Sequence, residues 1–140
     1  MELQLQYGKT FYPISAPGHL GLISGQPSVG KSKLTEPLIA SYINNKNTSS
    51  FFRWKGVDKG TKVLMVDTEQ PDDLLNNAIE RIKVLSGLKE KDFNDRFDVL
   101  RLANVGSNGA KFERFKDQVK DIGKYGFVLA DNMSGLINSM

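Results

Sequence analysis

Gly25-Gln26-Pro27-Ser28-Val29-Gly30-Lys31-Ser32 has the spacing G-x-x-x-x-G-K-S, the pattern of a phosphate-binding P-loop. The spacing has a physical reason. Gly25 and Gly30 let the backbone turn tightly and approach a phosphate with no Cβ in the way. The N–H groups between them converge into an anion-binding nest. Lys31 neutralises β- and γ-phosphates, the Ser32 hydroxyl ligates Mg²⁺, and Lys33 adds a cation to the same nucleotide-binding run. By chance this pattern arises in roughly one chain of this length in a few hundred, so it is specific.

The flanks agree with the loop. His19-Leu20-Gly21-Leu22-Ile23-Ser24 is a short apolar run suited to a buried strand. From Lys31 to Ile43, Leu34, Leu38, Ile39, Tyr42 and Ile43 recur at helical spacing, and the helix points its N-terminal end at the phosphate. Pro37 lies about two turns in, removes a donor and predicts a kink. His19, the only histidine, reads as structural.

Downstream, Val63-Leu64-Met65-Val66-Asp67 is a second buried strand, followed at its carboxyl end by Thr68-Glu69-Gln70. In open α/β sheets that edge holds ligands. Pro71 suits the first position of a helix. Leu74, Leu75, Ala78, Ile79, Ile82 and Leu85 form its apolar stripe, Asp72 and Asp73 sit at its positive end, and Ser86-Gly87 stops it. Residues 88–96 read as a charged connector, and Phe97 to Leu102 as a third strand. Gly106-Ser107-Asn108-Gly109 is a turn. Phe112, Phe115, Val119 and Ile122 mark one face of a further helix, which Gly123 to Gly126 end. Phe127-Val128-Leu129-Ala130-Asp131 is a fourth strand that again finishes on an acid. Strands alternating with helices imply a parallel sheet with right-handed crossovers.

Before the loop, residues 1–18 form an entry segment in which Leu3 and Leu5 alternate with glutamines, as in a short edge strand. Tyr7, Phe11 and Tyr12 are candidates to stack on adenine, with packing against the sheet edge as the simpler reading. Residues 44–50 are a polar loop. In Phe51-Phe52-Arg53-Trp54-Lys55, aromatics interleave with bases, as they do where single-stranded bases stack. A hydrophobic plug over the sheet is the simpler reading there too.

Composition bounds the class. The chain has 140 residues, 39 % hydrophobic and 25 % charged, as in one globular domain. No run of eighteen apolar residues spans a membrane, and the N-terminus lacks the basic-then-apolar order of a signal peptide. The absence of cysteine excludes disulfides and thiolate metal sites and fits a cytoplasmic location. Net charge is +3 with acids and bases interspersed, which permits nucleic-acid contact without requiring it.

Gly25 to Ser32, then Val63 to Gln70, then Phe127-Val128-Leu129-Ala130-Asp131-Asn132, together resemble the RecA-like P-loop ATPases. The Asp67-Thr68-Glu69-Gln70 wording is similar to that of AAA-family ATPases that include RepA-type hexameric helicases of phages, plasmids and mobile elements. The resemblance spans about Gly18 to Leu136. It implies a mostly parallel α/β sheet flanked by helices, with residues 19–140 as the P-loop core. ATP and Mg²⁺ are the implied cofactors, with Ser32 and Asp131 as metal ligands and Glu69 as the residue that activates water. The function expected is ATP binding and hydrolysis in a DNA-processing motor, a helicase or recombinase-like machine. Single-stranded DNA and further copies of the chain, six by family analogy, are the expected partners.

In that family the next strand lies between the Walker B strand and the P-loop strand, and later segments carry the sensor, the DNA-binding loops and an arginine for the neighbouring site. The sequence stops nine residues after Asp131, so it reads as the N-terminal part of a longer ATPase. The expectation is weak hydrolysis in this form and a tendency to self-associate. A P-loop kinase acting on a small molecule, using Arg96 or Arg101, and a non-catalytic nucleotide-binding regulatory module remain as alternatives.

Overall fold

The computed structural model describes residues 3–15, 18, 20, 22, 24, 30–44, 54–56, 60–121, 123–132 and 136. Its centre is a three-stranded parallel sheet of β4 (Lys62–Asp67), β5 (Phe97–Arg101) and β6 (Tyr125–Asp131), in the order β5-β4-β6. The central strand β4 is buried on both faces, which is why its sequence is a continuous apolar run. Its side chains still divide by period two. Val63 and Met65 join a core with Ile39, Ile43, Leu75, Ile82 and Phe93, whereas Leu64 and Val66 join Leu102 and Leu136 on the opposite face.

Helices cover both faces. On the first face lie α1 (Lys31–Ile43), α2 (Asp72–Ser86) and α3 (Glu90–Arg96); on the second, α4 (Asn108–Val119) contributes Phe115 and Val119. The chain leaves β4 for β5 over one face and passes from β5 to β6, in the opposite direction, over the other. That combination keeps the two crossovers of the same hand. The result is an α/β layered core, compatible with a Rossmann-like or P-loop-like arrangement.

A second sheet is antiparallel: β1 (Leu3–Tyr7), β2 (Thr10–Ser15) and β3 (Trp54–Gly56), in the order β2-β1-β3. The expected single edge strand is therefore a hairpin, closed by Gly8-Lys9 with Gly8 at φ +62°. Of the expected plug, residues 54–56 form a strand on β1, and Phe51 to Arg53 lie outside the described residues. The described strands thus divide equally between parallel and antiparallel sheets, in place of one mostly parallel sheet.

Helix α1 has the expected bounds and runs unbroken through Pro37. The carbonyl that proline deprives of a donor is that of Lys33, in the exposed first turn, where water can satisfy it. From Glu36 to Ile43 every residue of α1 is buried, because the helix lies against α2, β3 and β4. The buried Glu36 carboxylate accepts two hydrogen bonds from Arg81 of α2, at 2.9 and 2.7 Å.

Several expectations need correction. Leu20, Leu22 and Ser24 are not in a strand, and the two leucines are 96 % and 85 % exposed. An apolar run becomes a buried strand only where a sheet edge receives it, and no described strand pairs with the outer edge of β6. The charged connector contains α3, anchored by buried Phe93 against Phe97. Asn108 and Gly109 belong to α4, whose N-cap Ser107 accepts a hydrogen bond from the Ala110 amide at 3.2 Å. Within α2, Leu74 and Leu85 face solvent, and burial falls on Leu75, Ala78 and Ile82. Gly87 ends the helix at φ +67°, as expected. Ile122 lies outside the described residues.

Gly126 is part of β6, not a helix terminator. A Cβ there would run into Thr61 Oγ1 and Tyr42 Oη, which are hydrogen-bonded to each other at 2.8 Å. Gly126→Ala is expected to cost about 2 kcal/mol through this overlap, read as a lower thermal midpoint. Unchanged stability would show that the Tyr42–Thr61 contact yields freely.

At the amino ends of the strands, Asp98 accepts hydrogen bonds from Tyr125 Oη at 2.6 Å and Lys62 Nζ at 3.1 Å. Burial pushes the Asp98 carboxyl up, but these donors and nearby Lys124 outweigh it and hold it below the usual value. This network ties the three strands together at the end remote from the acids described next.

Candidate functional site

The carboxyl ends of β4 and β6 bring two expected acids side by side. Asp67 and Asp131 are register partners across the parallel pair. The ladder continues past them: the Thr68 amide donates to the Asp131 carbonyl at 3.0 Å, and the Leu102 amide to that of Asp67 at 2.8 Å.

Beyond β4 the chain turns sharply, and Asp67 makes the turn. Its Oδ1 accepts from the amides of Glu69 at 3.0 Å and Gln70 at 2.7 Å, an Asx-type turn. Thr68 Oγ1 donates to the Asn132 carbonyl at 3.1 Å and accepts from the Asn132 amide at 3.2 Å. From α4, Lys111 Nζ donates to the Thr68 carbonyl at 3.1 Å. Glu69 is thereby carried on an anchored turn, with its carboxylate exposed and a long hydrogen bond, 3.4 Å, from Asn132 Nδ2.

The electrostatics are those of crowded acids beside one lysine. Burial pushes the Asp131 carboxyl above its ordinary value; the Asp67 charge pushes the same way, Lys31 opposes, and Glu69 adds a further upward push. Lys31, the first residue of α1, therefore acts on the same group as the strand-end acids. Gly30 before it sits at φ +93°, a left-handed conformation suited to glycine. Asp67 is buried, and its Oδ2 has no hydrogen-bond partner. A buried carboxylate oxygen without a partner is costly, and a cation at this edge would offset that cost.

Gly30, Lys31, Ser32, Lys33, Glu36 and Arg81 line an open cleft of about 410 Å³ at the N-terminus of α1. Three cations and one acid, already paired with Arg81, make this wall suited to an anion. Gly25, Gln26, Pro27, Ser28 and Val29 lie outside the described residues. Among the described residues that line the cleft, none belongs to the β1–β2 hairpin.

Among the described residues no three His, Asp or Glu side chains gather as a ready-made metal cage. A magnesium site of the kind expected needs none, since Mg²⁺ binds through one or two carboxylates, waters and phosphates. The hydroxyl of Ser32 and the carboxylate of Asp131 fit that chemistry, with the uncompensated Asp67 oxygen nearby.

Three participants escaped the sequence reading: Arg81, Lys111 and Asn132 in its contact with Glu69. Arg81 had a signal, a charged residue flanking the buried stripe at Ala78 and Ile82. Lys111 had none, because its role depends on where α4 docks. Arg96 is at the amino end of the sheet, bonded to the Thr61 carbonyl at 3.2 Å, away from these acids. Arg101 is engaged by Asp72 and Asn76.

No family model, curated protein or solved structure matches this chain. No helix among the described residues is long and apolar enough to cross a membrane.

Proposed function

We propose that this chain binds ATP with Mg²⁺ and hydrolyses it, as the nucleotide-binding module of a DNA-processing motor of the RecA-like kind. One observation carries the reading: the charge of Lys31, next after the left-handed Gly30, bears on Asp131 at the strand edge shared with Asp67 and Glu69. In this reading, chain segments far apart in sequence supply a phosphate-binding lysine (Lys31), a metal ligand (Asp131) and a water-orienting carboxylate (Glu69).

Phosphoryl transfer to water asks the protein mainly for positioning and charge stabilisation. Lys31, with the amide groups at the start of α1, holds the β- and γ-phosphates. Lys33 and Arg81 make the cleft wall favourable to the rest of the polyphosphate. Ser32 and Asp131 would hold Mg²⁺, which supplies charge neutralisation at the phosphates. Glu69 accepts a hydrogen bond from the attacking water and aligns it. The Asx turn of Asp67, the Thr68–Asn132 pair and Lys111 keep the Glu69 backbone in place for that task.

ATP turnover measured with and without single-stranded DNA tests the reading. Free phosphate release that DNA stimulates is the expected result. Phosphate appearing on a small acceptor would replace it with a kinase. Tight Mg·ATP binding with no turnover under any condition would replace it with a regulatory module. The DNA part and the hexamer rest on the family resemblance alone.

A further inference from the structure

Glu36 and Arg81 reach the cleft at α1 from different helices, and they differ in burial. The Glu36 side chain is 9 % exposed and that of Arg81 56 %. The acid is therefore the fixed member of the pair and the arginine the presented one. Glu36 opens the stretch of α1 that is buried to its end, where the helix packs against α2, β3 and β4.

A carboxylate on the wall of a cleft otherwise lined by Lys31, Lys33 and Arg81 needs a reason. Its charge has the wrong sign for an anion, and burying it is costly. Joining α1 to α2 is not reason enough, because an apolar pair of similar volume does that at least as well.

The geometry of the pair supplies a reason. Glu36 accepts from Arg81 Nε at 2.9 Å and from Nη2 at 2.7 Å, which is the side-on edge of the guanidinium. Three of the five N–H groups are left over, and two of them lie parallel on the end-on edge across Nη1 and Nη2. That edge makes no hydrogen bond among the described residues. A planar fork of this shape matches two oxygens of one phosphate. An unattached arginine loses rotamer freedom when it grips a ligand, whereas one already held by Glu36 has lost it on folding.

We propose that Arg81 is a directed phosphate contact for the bound nucleotide and that Glu36 is the residue that positions it. The proposal rests on the nucleotide reading above. It adds to that reading a fixed hydrogen-bonding edge where the cleft wall alone offers only charge.

The test is calorimetric titration of the whole chain with Mg·ATP, on the parent, Glu36→Gln and Arg81→Lys. Two accounts of Glu36 give opposite signs. If it acted only through its charge, removing that charge from the cleft wall would tighten nucleotide binding. As a positioning residue it behaves otherwise. The glutamine amide cannot accept both hydrogen bonds, Arg81 is released, and affinity is expected to fall about three- to tenfold. Arg81→Lys keeps the cation and leaves Glu36 a partner, but an ammonium has no fork, so roughly a tenfold loss is expected. Thermal melts accompany each titration. Should Glu36→Gln unfold, Arg81→Lys decides, because it keeps the ion pair and changes an exposed side chain. Equal or tighter binding by folded Glu36→Gln, or full affinity in Arg81→Lys, overturns the proposal and leaves the nucleotide site standing. No Mg·ATP binding by the parent chain overturns the nucleotide reading and this proposal together.

Discussion

Lys31→Ala is expected to lower Mg·ATP affinity on the order of a hundredfold while leaving the fold intact. Lys31 opens α1, is only partly buried and contributes nothing to either hydrophobic core. Alanine suits the first turn of a helix, so the helix itself has no reason to fray. What is lost is a cation against a triphosphate, and a charge-assisted hydrogen bond in a site of this kind is worth about 1.5–3 kcal/mol. A second effect follows in the nucleotide-free protein. Lys31 is the group that opposes the upward push on Asp131, so its removal leaves the Asp131 carboxyl higher still. Calorimetric titration reads the affinity and carbon-detected magnetic resonance reads the carboxyl. Undiminished nucleotide affinity would remove Lys31 from the site.

Glu69→Gln should leave nucleotide affinity within a few-fold of the parent and slow hydrolysis by about 10²- to 10⁴-fold. The substitution keeps the shape of the side chain. The turn is built from the Asp67 carboxylate, the Thr68 hydroxyl and backbone groups, so it survives. Glutamine still reaches Asn132, but it cannot align and polarise water as a carboxylate does. Single-turnover phosphate release separates this from a binding defect. Unchanged turnover would move the water-orienting role to another acid, and Asp67, with its free Oδ2, is the nearest candidate.

What the sequence disclosed was whatever depends on local pattern. The alternation of apolar strands and amphipathic helices marked β4, β5, β6, α1 and α2 because both faces of a parallel sheet must be covered, which forces continuous apolar strands. Helix ends followed capping chemistry, as at Gly87. The acids at the strand ends were legible because a residue after a buried run must emerge at the sheet edge. The misses share a cause in tertiary context. Seven residues of α3 carry only one buried side chain, Phe93, too few to show a period. The run around Leu20 and Leu22 has the composition of a strand, but its described residues pair with no sheet edge. Gly126 looked like punctuation, and only its packing against Thr61 and Tyr42 accounts for a glycine inside β6. Similarly, the segments before and after the P-loop looked unrelated until the pairing of β1 with β3 joined them in one sheet.

The most direct measurement is a calorimetric titration of the 140-residue chain with a slowly hydrolysed ATP analogue, with and without Mg²⁺, repeated on Asp131→Asn. One nucleotide per chain, bound more tightly with Mg²⁺ and losing that dependence when Asp131 is replaced, is the expected result. No saturable binding by the parent chain, or binding indifferent to both Mg²⁺ and Asp131, would contradict a nucleotide site at the carboxyl ends of β4 and β6.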